Sequence, residues 1–184
     1  MIFSALDGSL PFYRALTPKW AYAPLSGEGA ARQGGRLNRP NCHALYLSTT
    51  IETAIAEYQQ GEALMPPFTM AQYHVKLARV VDFRSGFDPA AWNPLWQDLH
   101  CNWRGIALDD RSEPPSWILG DWALEAGASG VLFPSVQSRG GTNLVVYTSM
   151  LKIAALEDDS SNHIEAHDPD GRLPRNQDSW RSVR

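Results

Sequence analysis

The chain has 184 residues, with 16 Lys and Arg against 20 Asp and Glu and a net charge of -4. Its hydrophobic fraction of 43% and charged fraction of 20% are those of a folded globular chain, and the length suits one domain, with room to bury roughly two thirds of its unfolded surface. No apolar run approaches the ~20 residues a membrane helix needs. The acidic balance argues against a protein that coats nucleic acid, and two cysteines do not make a disulfide framework. With no basic segment leading into an apolar one near Met1, the expectation is a cytoplasmic protein without membrane or direct nucleic-acid contact.

In chain order, Phe12–Leu16 (FYRAL) reads as a short strand. Ser26–Pro40, with four glycines and almost no large apolar side chains, reads as a loop. Ala44–Leu47 reads as a strand, and residues 48–60 as a helix with Thr49 as N-cap and Glu52 completing a capping box. Ile51, Ala54, Ile55 and Tyr58 fall on one helical face, which places Glu57 on its flank, able to look into a cleft beside the core. Residues 70–77 and 79–83 read as two strands. Residues 89–99, carrying Trp92 and Trp96, read as a helix, and 116–126 as another, capped by Ser116 and ended by Gly127. Val131–Phe133 and Asn143–Thr148 read as strands with a Gly140-Gly141 turn between them. From Glu157 the chain carries seven acids, four Arg and few apolar residues. The expected division is a domain over residues 1–156 and a polar tail over 157–184 with little structure of its own, pinned by Trp180. The mixture lacks strict β-α alternation, so the expected class is α+β.

The cations are unevenly placed. Between Pro11 and Ser48 stand Arg14, Lys19, Arg32, Arg36 and Arg39, against Glu28 alone. Arginine presents a rigid charged fork suited to phosphate. Arg36 follows Gly34-Gly35, where missing side chains allow a ligand close to the backbone. Cys42-His43 and His100-Cys101 lack the spacing of a zinc site, and Ser135 lacks the G-x-S-x-G context of a nucleophile. No dinucleotide-binding G-x-G-x-x-G and no Walker A loop is present. Taken singly, Arg14 can face solvent, Tyr46 the core, Glu57 water and Ser135 a turn. These features end at an α+β domain with an anion site.

In order, however, Phe12-Tyr13-Arg14, then Gly34-Gly35-Arg36-Leu37-Asn38, then Ala44-Leu45-Tyr46-Leu47-Ser48 leading into a helix with Glu57, then Pro115–Trp122, then Val131–Val136 and Gly141–Tyr147 resemble the RES domain family, over roughly residues 12–153. Leu37 departs from the Trp more usual in that family. The resemblance implies the toxin of a bacterial type II toxin-antitoxin pair. Its fold would be an antiparallel-rich split sheet with flanking helices, similar to ADP-ribosyltransferases. Its partner would be a helix-turn-helix, Xre-like antitoxin that masks the active site. It also implies attack on NAD+ as substrate, without a metal, with ADP-ribose passed to water, phosphate or a metabolic enzyme.

Chemically, Arg14 and Arg36 suit the pyrophosphate. Glu57 suits the cation-like ribosyl centre formed as the nicotinamide bond breaks. Tyr46 suits stacking on the nicotinamide ring. Ser135 suits a hydrogen bond to the nicotinamide side, to the ribose or to Glu57. With Asn143 added, the expected site is Arg36, Tyr46 and Glu57 as catalytic residues, and Arg14, Arg36, Tyr46, Ser135 and Asn143 for binding the dinucleotide. The competing reading is a module that binds a nucleotide or partner without catalysis. An RNA-cleaving toxin fits poorly, since it would want paired acid and base groups and a broad basic face, on a chain with three Lys.

Overall fold

A computed structural model describes residues 1–151 and 161–178. The boundary expected at 156/157 and Trp180 lie outside the described residues. Six strands form one sheet: β1 (Phe3–Leu16), β2 (Ala44–Ser48), β3 (Thr69–Asp82), β4 (Gly130–Pro134), β5 (Thr142–Tyr147) and β6 (His163–His167). Three α-helices accompany them: α1 (Glu28–Gln33), α2 (Ile51–Gln59) and α3 (Pro115–Glu125). The class is α+β, in a single domain.

The strand order is β1-β2-β5-β4-β3-β6, and β1 also pairs with β3, so the sheet curls back on itself. All pairings are antiparallel except β3 with β4. Strand β3 carries β1 along one edge. Its other edge is shared, with β4 beside Val80–Asp82 and β6 beside Gln72–Lys76.

Both faces of the central strands are covered, which explains the uninterrupted apolar runs VLF and LVVY. Val131, Phe133, Val145 and Tyr147 pack with Trp92, Trp96, Leu119 and Ala123 on one face. Leu132, Leu144 and Val146 pack with Phe12, Leu45, Tyr73 and Leu77 on the other.

Several elements differ from expectation for identifiable reasons. The two strands expected over 70–83 are one. The apparent break is a bulge: Leu77 pairs with Leu6 and Val80 with Ser4, so β3 spends one more residue than β1 there. The helix expected over 89–99 is instead a 3-10 helix over Pro94–His100. Asn93 precedes a proline and is held extended (φ -62°, ψ 141°), so no α-helix runs through it. The helix after β2 is capped by Thr50, which accepts the Thr53 amide at 3.2 Å. Thr49 is occupied by the Thr142 carbonyl instead. Helix α3 begins at Pro115 without a side-chain cap, since Ser116 is buried and faces the Cys101 thiol. The Gly-rich stretch expected as a loop contains α1. The polar segment expected to lack structure supplies β6, whose backbone pairs with β3 whatever its side chains are.

Gly120 marks the tightest contact between α3 and the rest. A Cβ there would lie 2.2 Å from the Leu37 carbonyl oxygen, a backbone atom that cannot swing aside. Gly120→Ala is expected to destabilise the fold by about 1–3 kcal/mol through overpacking, as measured by urea unfolding; an unchanged midpoint would contradict this packing.

Candidate active site

A cleft of about 730 Å³ opens beside β1, β2 and α2. Its wall includes Arg14 from β1, Arg36 from the loop after α1, Tyr46 from β2, Glu57 from α2 and Asn143 from β5. The fold therefore gathers residues spread over some 130 positions of sequence. Ser135 is not in the wall itself but touches Glu57.

Glu57 is the most constrained of them. Its Oε1 accepts the Ser135 hydroxyl at 2.7 Å and the Asn143 amide at 2.6 Å. Ser135 in turn accepts the backbone N–H groups of Gln137 and Ser138, so its proton is directed at the carboxylate. Asn143 is fixed by the buried Ser48 hydroxyl, which donates to Asn143 Oδ1 at 2.8 Å. One carboxylate oxygen is thus clamped by two neutral donors. Among the described residues the other, Oε2, has no hydrogen-bond partner.

The turn that carries Arg36 is stapled from several sides. Gly35 N–H donates to the Asn38 carbonyl at 2.9 Å, closing a tight turn. This turn sends Leu37 into the core, where it is fully buried, and Arg36 to the cleft. The Tyr46 hydroxyl sits inside the turn. It accepts the Leu37 N–H at 2.9 Å and donates to Asn38 Oδ1 at 2.7 Å. Trp117 Nε1 donates to the Gly35 carbonyl at 2.8 Å. A Cβ on Gly35 would fall 2.5 Å from both the Tyr46 hydroxyl and Asn38 Oδ1, and one on Gly34 (φ +83°) 2.8 Å from the Trp117 ring. The glycines therefore admit the protein's own side chains, and both also line the cleft. Burial raises the Tyr46 phenol well above its ordinary pKa, so it stays a neutral hydroxyl. Its ring borders the cleft while its oxygen serves the turn.

Arg36 is oriented without being neutralised. Arg36 Nη1 donates to the Leu99 and Cys101 carbonyls, each at 3.0 Å, at the end of the 3-10 helix. Its remaining N–H groups take no part in these two bonds. Burial lowers its pKa, partly offset by nearby Cys101, Glu57 and Tyr46. Burial likewise lowers Arg14, which lies beside the Tyr73 phenol; burial pushes that phenol up to about 12 despite the cation alongside. Neither arginine pairs with a carboxylate among the described residues, whereas Arg39 on the outside pairs with Glu113 and Asp121. No group of three or more His, Cys, Asp or Glu among the described residues is placed to hold a metal ion.

The cleft also contains residues that the sequence reading did not assign to the site: Tyr13, given only as part of the family motif, Tyr58, placed on the apolar helix face, and Gln60, Trp103 and Arg104. Tyr13 was within reach, because it neighbours Arg14. Trp103 and Arg104 carried no periodic or motif signal.

Comparison with known proteins now places the chain. The model of the RES domain family matches residues 11–175. The chain belongs to the RES domain family. Its match reaches past the resemblance read from sequence, which ended near residue 153, and takes in β6. A solved structure with this fold is described as the crystal structure of the M. tuberculosis MbcT-MbcA toxin-antitoxin complex. It has a TM-score of 0.54 and 21% identity, over 89% of this chain and 84% of that one. The likeness shows that the RES chain shares that fold. No curated protein matches the chain. Among the described residues no helix is long and apolar enough to cross a membrane.

The stapled turn yields a direct test. Tyr46→Phe leaves the Leu37 N–H and Asn38 Oδ1 without their partner and is expected to cost about 1–3 kcal/mol of stability, read by denaturant unfolding without any ligand; wild-type stability would mean that the hydroxyl does not hold the turn.

Proposed function

We propose that this RES domain binds NAD+ in the cleft and breaks its nicotinamide–ribose bond, and that it acts as the toxin of a toxin-antitoxin pair. The observation that carries the reading is Glu57, a carboxylate clamped through one oxygen with the other turned loose beside two uncompensated arginines. Family membership supports it, as does a fold shared with a chain solved in a toxin-antitoxin complex.

In this reading Arg14 and Arg36 grip the pyrophosphate by charge-assisted hydrogen bonds. The C1′–N bond breaks with its electron pair going to the nicotinamide nitrogen, which becomes neutral. No general acid is required, because the leaving group is cationic before it leaves. Positive charge develops on the ribosyl carbon, and the fixed carboxylate of Glu57 stabilises it without having to reorient. Ser135 and Asn143 hold that carboxylate in place. The Tyr46 ring stacks on the nicotinamide while its hydroxyl keeps the Arg36 turn closed. The ADP-ribosyl group then passes to water, inorganic phosphate or a protein acceptor such as a metabolic enzyme. The partner is an Xre-like helix-turn-helix antitoxin that covers the cleft.

Purified protein is expected to release free nicotinamide from NAD+, followed by chromatography with and without phosphate. Glu57→Gln keeps the volume and removes the charge, and should lower the rate about 10²–10³-fold. Full turnover by that variant would overturn the role given to Glu57. Binding of NAD+ by the wild type with no nicotinamide released, even with cell extract as a source of acceptor, would favour the non-catalytic module.

A further inference from the structure

Arg104 and Gln60 both line the cleft and are joined by a hydrogen bond from Arg104 Nη1 to Gln60 Oε1. Gln60 follows α2 in a left-handed conformation (φ 51°), and Arg104 leads into a π-helical turn over Gly105–Asp109. Both side chains are exposed. The guanidinium also lies 5.2 Å from the centre of the Trp103 ring, another part of the wall. A neutral amide and an aromatic face are weak companions for a cation, and among the described residues Arg104 has no carboxylate partner. Its charge reaches Arg36 across the cleft, where it acts to lower that group's pKa. Arg14, Arg36 and Arg104 therefore line one volume in which, among the described residues, Glu57 is the one carboxylate, so positive charge is in excess there.

We propose that Arg104 is a third anion-gripping residue of this cleft, one that exchanges its Gln60 partner for the pyrophosphate of the dinucleotide. This rests on the NAD+ reading for the identity of the anion. In that reading Arg14 and Arg36 form the fixed part of the anion site, set by strand and stapled turn. Arg104 is the movable part, reaching in from the mouth, and it sets selectivity for ligands carrying two adjacent phosphates over those carrying one. Exchanging a neutral oxygen for a charged one strengthens its hydrogen bond.

The test titrates inorganic pyrophosphate into the wild type, Arg104→Gln and Gln60→Ala by calorimetry, with inorganic phosphate as the single-phosphate control. Both substitutions are at exposed positions, and thermal melts confirm that each variant is folded. Arg104→Gln is expected to weaken pyrophosphate binding about tenfold while changing phosphate binding much less. Gln60→Ala is expected to bind pyrophosphate at least as tightly as the wild type, because only the Gln60 contact is lost. Equal affinity of Arg104→Gln and wild type would overturn the proposal. So would equal weakening by both variants, which would make the pair a structural strut, and so would the absence of pyrophosphate binding by the wild type. Nicotinamide release is measured separately. If the wild type binds pyrophosphate through Arg104 but releases no nicotinamide, the NAD+ reading fails while the anion grip stands.

Discussion

Three arginines share a cleft with one carboxylate, Glu57, and among the described residues none of them forms an ion pair. Charge removed from water is costly unless something replaces the lost hydration, and an ion pair is the usual replacement. Here Arg36 is held instead by two backbone carbonyls, and Glu57 by a hydroxyl and an amide. Neutral partners fix the direction of a charged group while leaving its charge to act on something else. Arg36 and Glu57 are thus aimed by the fold itself, which under the proposed function leaves little reorganisation for the reacting state.

Holding charges in this way demands rigid supports, and much of the fold supplies them. The Arg36 turn is fixed by Tyr46, Asn38 and Trp117, and Trp117 belongs to a helix whose Gly120 lies against the same turn. The Glu57 clamp is fixed by Ser48 on β2, Asn143 on β5 and the loop after β4. β2 and β5 are hydrogen-bonded neighbours, with Ser48 opposite Asn143, so sheet register sets the geometry of the carboxylate. A one-residue slip would send Asn143 to the other face and release Glu57. Tyr147, buried on that same β5, donates to the Leu37 carbonyl and ties the two supports together.

Much of this was legible in the residues. The α+β class, β2, α2, α3 and the two apolar strands β4 and β5 follow from local pattern, because their side chains report directly which faces are covered. The flank position of Glu57 follows from helical period alone. What local pattern could not show is long-range. The hydrogen bond from Asn143 to Glu57 spans 86 positions, and the second role of Tyr46 exists only because a glycine turn closes around its hydroxyl. The β3 bulge resembled a strand break, since a bulge and a break interrupt alternation alike. β6 was missed because it is a short edge strand in a polar stretch: His163, Glu165 and His167 are exposed, and only Ile164 and Ala166 turn toward the core. Arg104 was missed because only the fold brings it to the cleft.

The most direct measurement is a crystal structure of the Glu57→Gln protein with NAD+ bound. The account predicts the pyrophosphate against Arg14 and Arg36, the nicotinamide ring along Tyr46, and the anomeric carbon of its ribose beside the amide at position 57. A dinucleotide bound elsewhere, or one in this cleft with its nicotinamide ribose turned away from position 57, would contradict it.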